Sequence, residues 1–318
     1  MNAAIITAYE APITIGRVDT PALTGDSVLI AVHAASINPI DDILRLGKMK
    51  DVMPLTFPHV MGYDVSGVVV AVGADVTQCA LGDAVFARPS QNDAGAIAEF
   101  ARVKGSELAM KPATLSHAQA ASVPLAGLTA WQALITRGKL KAGDKVLIHA
   151  GSGGVGSFAI QIAKHIGAHI ATTCSGHNID LVKRLGADVV IDHTTDAFDQ
   201  QLSDYDLVFD MLGGETMARS FTVLKPGGTM ISIKGQDTEN LAKKFGVHFE
   251  WFLMEPDGAM LGELGALIDT GAVQPVIGKT FTMEQSAAAY EELANGHSVG
   301  KIVVTISDSA ANPETSRP

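Results

Sequence analysis

The stretch Lys145 to Gly167, KVLIHAGSGGVGSFAIQIAKHIG, constrains the fold more than any other part of the chain. Val146-Leu147-Ile148 is a short apolar run preceded by the turn signal Ala142-Gly143-Asp144, the pattern of a strand buried on both faces. Gly151-Ser152-Gly153-Gly154-Val155-Gly156 follows and matches G-x-G-x-x-G. Phe158, Ile162 and Ile166 then recur at spacings of four beside Ile160 and Ala163, as on a helix with one broad apolar side. Glycines alone would read as a flexible loop. Set between a strand and a helix, they read as the phosphate-binding turn of a dinucleotide fold. Gly151 then allows the tight turn, Gly153 lets a pyrophosphate approach the backbone, and Gly156 lets helix and sheet pack closely. Ser152, Gly154 and Val155 complete the loop, and the free N–H groups of the helix N-terminus face the anion.

Strands and helices alternate from there on. The strand candidates are Val146–Ile148, Ile170–Thr173, Val189–Ile191, Leu207–Phe209 and Thr229–Ile233. Helical stretches at Ser157–Ile166, Asn178–Leu185 and Glu215–Leu224 lie between them, the last before the stop signal Lys225-Pro226-Gly227-Gly228. Such alternation predicts a doubly wound parallel sheet. Val247–Leu253 is a further apolar run suited to an edge strand, and an apolar edge invites a second copy, so a homodimer is expected.

The first third reads instead as all-β, with strands at Ala3–Thr7, Ser27–His33, Asp64–Val72, Ala84–Phe86 and Gly95–Val103. Small strands at this spacing predict a compact barrel-like domain. Ser116 is a candidate N-cap, and Leu125–Leu134 a helix containing Gly127-Leu-Thr-Ala-Trp131. After the alternating region come a helix at Met260–Leu267, an extended run at Val276–Phe281, a helix at Met283–Leu293 and an apolar strand at Lys301–Ile306.

At 318 residues, 47% hydrophobic and 18% charged, two globular domains are the expectation. The net charge of −11 argues against nucleic acid and anionic membrane surfaces as partners. No apolar run approaches a membrane span, and MNAAIITAYE lacks the basic start of a signal peptide. Cys79 and Cys174 lie too far apart in sequence for a metal-ligand or redox pair, which fits a reducing, cytoplasmic compartment.

These pieces, in this order, resemble the medium-chain dehydrogenase/reductase superfamily in its zinc-free quinone oxidoreductase branch. The matching residues are Ala34-Ala-Ser-Ile-Asn-Pro-Ile-Asp41, Gly62-Tyr-Asp-Val-Ser-Gly67, Gly82-Asp-Ala-Val85, Gly127-Leu-Thr-Ala-Trp131, the glycine loop, Leu224-Lys-Pro-Gly-Gly228 and Gly300-Lys-Ile-Val303. The resemblance implies an α/β fold in which a Rossmann doubly wound parallel sheet is inserted into a β-rich GroES-like barrel domain. The barrel would comprise residues 1–120 and 272–308 and the cofactor domain residues 121–271, with the active site in the cleft. A polar tail, 309–318, has nothing to bury and is expected to be disordered. Zinc-dependent relatives bind catalytic zinc through a Cys near Asn38 and a His-Glu pair near Tyr63-Asp64. An amide and a phenol here leave too few good ligands for tetrahedral zinc, and two cysteines cannot make a four-cysteine structural site, so no metal is expected.

An NAD-preferring domain of this kind ends its second strand on a carboxylate that binds the ribose 2′-OH. This chain has no Asp or Glu between Asp144 and Asp180. It offers Thr173, Ser175, His177 and Asn178 there, with His193 at the following strand's end. Neutral groups of this kind receive a 2′-phosphate that an acid would repel, so NADPH is favoured and NADH stays open. By resemblance, Thr129, Leu212, Ile231, Ser232 and Ile233 contact the nicotinamide end. Without a metal Lewis acid, acceptors that delocalise charge need the least help, which points to quinones and α,β-unsaturated carbonyls. Asn38 is the candidate donor to the oxygen where charge develops. Tyr63 could do the same or supply the proton, and Asp41 either orients the loop or is a turn carboxylate after Pro39. A reductase of another carbonyl or of an enoyl thioester, and a nucleotide-binding protein in which catalysis has lapsed, are the competing readings.

Overall fold

The computed structural model describes residues 1–91, 95–296 and 298–306. It separates into two compact units, Met1–Ala126 with Pro256–Thr270 and Pro275–Pro318, and Gly127–Glu255 with Gly271–Gln274. In chain order the first part holds β1 (Asn2–Ile6), β2 (Thr14–Arg17), β3 (Ser27–Ile37), α1 (Pro39–Arg45), β4 (His59–Val60) and β5 (Asp64–Val72). Then come β6 (Ala84–Ala87), β7 (Phe100–Lys104), β8 (Leu108–Met110), α2 (His117–Ala121) and α3 (Pro124–Trp131). The alternating region is β9 (Lys145–Ile148), α4 (Gly154–Ile166), β10 (His169–Cys174), α5 (Ile179–Leu185), β11 (Val189–Asp192), α6 (Phe198–Gln201) and β12 (Tyr205–Asp210). It continues through α7 (Gly214–Ser220), β13 (Leu224–Ser232), α8 (Leu241–Phe245) and β14 (His248–Trp251). The chain closes with α9 (Gly258–Asp269), β15 (Ile277–Thr282), α10 (Ser286–Ala294) and β16 (Lys301–Thr305).

The first unit is built on a seven-stranded sheet in the order β15-β16-β3-β5-β6-β8, with β7 also on β3. The closing strand β16 pairs antiparallel with β3, Ile302 opposite Ile37 and Val304 opposite Ala35. That register brings the two ends of the sequence into one core, where Val28, Ile30, Val32, Val65, Val85, Ile302 and Val304 are buried. Burying a large aliphatic side chain is worth about 1.5–3 kcal/mol, so the apolar run after Lys301 has strong reason to enter this sheet.

The second unit holds six parallel strands in the order β11-β10-β9-β12-β13-β14, the doubly wound 3-2-1-4-5-6 arrangement. Its switch point lies between β9 and β12, so the carboxyl ends at Ile148 and Asp210 define where a ligand belongs. The apolar run at Val247–Leu253 supplies β14, paired on one side with β13. Among the described residues no helix is long and apolar enough to cross a membrane.

Several local expectations are corrected. The helix read as Glu215–Leu224 ends at Ser220 and passes through a 3-10 turn at Phe221–Val223. Its stop signal lies inside β13, where pairing with β12 shifts from Tyr205–Leu224 to Leu207–Thr229, because Pro226 has no N–H to give the ladder. The strand read as Gly95–Val103 is regular only from Phe100. Before that, Ile97 bonds Met61 and Ala4 in a local exchange of backbone partners. The all-β reading also missed α1, although Pro39 at a helix N-terminus is a standard start signal. Residues 256–270, expected in the cofactor domain, cluster with the first unit. Asp269 there accepts from Ala113 N and Thr114 N, and Gly258 lies so close to Leu108 that an added Cβ would be 2.3 Å from its carbonyl oxygen. The expected disordered tail, 309–318, lies outside the described residues.

Candidate active site and cofactor site

The glycine loop connects β9 to α4 as a tight turn. A Cβ on Gly151 would lie 2.1 Å from Thr172 Oγ1, and one on Gly156 would lie 2.3 Å from Ala150 O. Gly153 is different: its Cβ would meet only Ala150 O, at 3.3 Å. Gly153 is the N-cap of α4 and makes no side-chain cap bond, so the first N–H groups of that helix are offered to a ligand. Ser152 Oγ accepts from Asn178 Nδ2 at 3.1 Å, which ties the loop to the 3-10 turn Gly176–Asn178 that follows β10.

A chain of hydrogen bonds fixes the loop from beneath. Ser220 Oγ donates to Thr216 O, so it accepts from His149 Nε2 at 2.8 Å. His149 Nδ1 is then the acceptor for Thr173 Oγ1 at 3.1 Å, and Thr173 Oγ1 in turn accepts from Ala150 N at 3.1 Å. Ala150 sits at φ +49, a left-handed conformation that a β-carbon resists, and this bond helps hold it. Burial lowers the His149 pKa to about 4, against the opposing pull of Asp210, so the ring stays neutral. Thr173 therefore supports the loop from below.

Other expected cofactor residues fall into distinct settings. Ser175 Oγ pairs with His193 Nε2 at 3.2 Å, and His177 and His193 are exposed. Asp192 at the end of β11 lies by Gly176, its carboxylate engaged by Thr194 N and Oγ1. Thr129 is buried on α3. Ser232 Oγ donates to Asp210 Oδ2 at 2.8 Å, and Asp210 Oδ1 accepts from Leu212 N and Gly213 N, each at 3.0 Å. The Asp210 carboxylate thus braces the ends of β12 and β13. Leu212 projects its side chain outward, Ile231 is fully buried, and Ile233 N bonds Asp210 O.

The first unit gathers a second polar cluster, almost entirely buried. Asp64 opens β5, and its Oδ2 accepts from Ser36 Oγ at 2.8 Å and from Asn38 Nδ2 at 2.8 Å. Its Oδ1 accepts from Leu125 N at 2.7 Å. Lys301 Nζ donates to Ile37 O at 3.0 Å, to Asn38 Oδ1, and to Asp64 Oδ2 at 3.2 Å. Gly300, at φ +62 with Val276 O 2.2 Å from where a β-carbon would stand, makes the turn that starts β16 with Lys301.

Asp41 reaches back along α1 to accept from Asn38 N at 3.0 Å. Its Oδ2 also receives Tyr290 OH at 3.5 Å, whereas Oδ1 is buried with no partner among the described residues. Burial, then the neighbouring Asp64 charge, raise the Asp41 pKa to about 7; Asn38 N–H, Lys301 and Arg88 pull the other way. Tyr63 is 1% exposed, with its hydroxyl 3.4 Å from His59 Nε2 and the Arg88 guanidinium 5.1 Å from its ring centroid. Burial and Asp41 push the phenol well above its ordinary value, while burial lowers His59 to about 4. Tyr63 accordingly keeps its proton, which makes it a poor acid at neutral pH.

Sequence reasoning placed Asn38, Asp41 and Tyr63 in one neighbourhood but gave no role to Lys301, Ser36, Arg88 or Tyr290. The signal for Lys301 was present: a lysine directly before an unbroken apolar strand must be buried with partners or turned away.

A family model described as "Alcohol dehydrogenase GroES-like domain" matches residues 24–166, and one described as "Zinc-binding dehydrogenase" matches residues 185–304. The NAD(P)H oxidoreductase RTN4IP1, mitochondrial, of Danio rerio is 37% identical over 324 residues, covering 88% of this chain and 84% of the relative. The NADPH-dependent alkenal/one oxidoreductase, chloroplastic, of Arabidopsis thaliana is 37% identical over 295 residues, covering 89% of this chain and 73% of the relative. Among solved structures, the quinone oxidoreductase from Coxiella burnetii superposes with TM-score 0.88 at 33% identity, over 96% of this chain and 99% of that one.

The second family model's description implies zinc, and the donor set does not fit it. Zinc requires thiolate, imidazole or carboxylate donors. Asn38 offers an amide, Tyr63 a protonated phenol, and the Lys301 ammonium already occupies the lone pairs of Asn38 Oδ1 and Asp64 Oδ2. Among the described residues no group of three or more His, Cys, Asp or Glu is arranged to hold a metal.

Proposed function

The chain belongs to the medium-chain dehydrogenase/reductase superfamily, and on that premise we propose that it transfers a hydride from NADPH to a quinone or α,β-unsaturated carbonyl without zinc. The observation that carries the metal-free reading is the buried Lys301 ammonium in the Asn38–Asp64 cluster. A site lacking a metal Lewis acid suits acceptors whose added charge spreads over a conjugated system.

NADPH fits the second unit. The loop at Gly151, Gly153 and Gly156 leaves backbone where side chains would stand, and α4 presents its N-terminus beside it. Ser152, Gly154 and Val155 complete that cradle. Ser175, His177, Asn178 and His193 would receive the 2′-phosphate, and Thr129, Leu212, Ser232 and the backbone at Ile231 and Ile233 the nicotinamide end. Thr173 acts by holding Ala150. When bound, the nicotinamide supplies the hydride. Asn38 Nδ2 has one hydrogen on Asp64 and offers its other to the acceptor oxygen as charge builds there. Asp41 holds a proton at Oδ1 near neutral pH, and its transfer to the reduced acceptor balances the added hydride. Tyr63 is packed between His59 and Arg88 and serves as a structural neighbour of Asp41.

The free β14 edge, with Trp251 and Leu253 exposed, suits pairing with a second copy as a homodimer. Cys79 and Cys174 are free thiols, which suits a reducing compartment such as the cytoplasm. Fractionation of the native cells decides between the cytoplasm and an organelle like those named for the two curated relatives.

The direct test follows oxidation of NADPH and NADH against a panel of quinones and enones, before and after exhaustive chelation. The expected result is NADPH-preferring turnover that survives chelation. Stoichiometric zinc in active protein, or activity lost to chelator and restored by zinc, would overturn the metal-free reading.

A further inference from the structure

We infer that Lys301 and Asp64 act together as positioning residues that fix which end of the Asn38 amide faces the acceptor; this rests on the hydride-transfer reading above. A carboxamide has two ends of nearly equal shape, and only its hydrogen-bond partners tell them apart. Lys301 has donors and no acceptor, so it must face Oδ1. Ionised Asp64 has acceptors and no donor, so it must face Nδ2, at 2.8 Å. Both flanks therefore demand the same orientation. A flipped amide would set N–H groups against an ammonium and an oxygen against a carboxylate. Asn38 is 2% exposed, Asp64 is 0% exposed and Lys301 is 4% exposed, so water cannot easily replace either partner.

The pair is itself held in place. Lys301 has Ile37 O as a third acceptor, and Asp64 is also bonded by Ser36 Oγ and Leu125 N. Asn38 N is separately tied to Asp41 Oδ2, so main chain and side chain of Asn38 are clamped by different carboxylates. The ammonium and carboxylate cancel in charge. What they impose is direction: the remaining Nδ2 hydrogen stays aimed as a donor through the reaction, with no reorganisation when charge develops. A donor that is correctly placed but free to flip would present its acceptor oxygen part of the time and repel the developing charge.

The test is Lys301→Met combined with Asp64→Asn, which keeps side-chain volume, removes both charges together and no longer distinguishes the ends of the amide. Lys301→Arg keeps the cation and serves as the conservative variant. Steady-state kinetics with an enone and NADPH are measured in the wild-type and Asn38→Ala backgrounds. The double variant is expected to lose about tenfold or more in kcat, against the 10²–10³ typical of deleting such a donor outright, with NADPH affinity unchanged. In the Asn38→Ala background the same two substitutions cost nothing further, a coupling that general loosening of the core would not produce. Lys301→Arg stays within a few-fold of wild type. Should the double variant fail to fold, Lys301→Gln, which donates and accepts alike, replaces it in the same cycle.

Hydrogen exchange of the Asn38 side-chain amide, assigned by its disappearance in Asn38→Ala, reads the clamp without turnover. Exchange at least tenfold faster in the double variant supports the inference. Wild-type kcat in the double variant, equal losses in both backgrounds, or unchanged exchange would each overturn it. A wild-type protein inert to every quinone and enone would defeat the hydride-transfer reading alone, and the exchange measurement would still decide the clamp.

Discussion

Two alanine substitutions three residues apart separate a glycine needed by the protein from one needed by the ligand. In Gly156→Ala the new methyl carbon would lie 2.3 Å from Ala150 O and 2.7 Å from the Gly151 α-carbon. These contacts lie about 1.2 and about 0.8 Å inside ordinary van der Waals separation of roughly 3.5 Å, and both obstacles are backbone, so loop and helix must part. Overpacking of this kind costs about 1–3 kcal/mol of stability. The loop must also shift by about 1 Å, enough to break its alignment with a diphosphate. In Gly153→Ala the added carbon meets only Ala150 O, at 3.3 Å, and the backbone stands at φ −78, ψ 178, which any residue adopts. Stability should therefore stay within about 1 kcal/mol of wild type. The methyl would instead occupy the face along which the diphosphate approaches. Losing two charge-assisted hydrogen bonds at about 1.5–3 kcal/mol each weakens NADPH binding by roughly 10²- to 10⁴-fold. Thermal unfolding and calorimetric titration with NADPH measure the two quantities on the same samples. Gly153→Ala with full NADPH affinity would show that no diphosphate approaches this backbone, and Gly156→Ala with unchanged stability would refute the packing argument.

Three further outcomes are expected. With the Asp41 pKa raised to about 7, the carboxyl is protonated below that value and ionised above it, so kcat should decline as pH rises through about 7 wherever proton delivery limits the rate. Asp41→Asn should abolish that limb of the pH–rate profile, and an unaltered limb would remove Asp41 as the proton source. His149 is fully buried with its pKa lowered to about 4, so between about pH 6.5 and 4 the unfolded chain binds a proton that the folded chain does not. Stability is therefore lost as pH falls through this window, by about 3 kcal/mol from this residue. Urea titrations at stepped pH should show a shallower decline in His149→Gln. For the proposed pairing of two copies through β14, wild-type protein should sediment as a dimer and Trp251→Asp as a monomer without unfolding of either unit, and the same mass for both would refute that pairing.

The sequence carried the parallel sheet, the loop and the closing strand because each is written in local pattern. A run such as Val146–Ile148 followed by spaced glycines and a 3.6-residue apolar repeat has one economical structure, and the solvent-free faces of β9 and α4 follow from it. Asn38, Asp41 and Tyr63 were named as candidates from the segments around Asn38-Pro39 and Gly62-Tyr63. The sequence around Lys301 signals burial or avoidance but not which partners it meets, because those are Asn38 and Asp64, some 240 to 260 positions away along the chain. The same holds for His149, whose partners Thr173 and Ser220 come from a neighbouring strand and the end of α7. Composition and periodicity decide which segments hide from water. Which donor meets which acceptor once they are hidden is settled only when β16 docks against β3, since a buried charge takes its role from the groups that surround it.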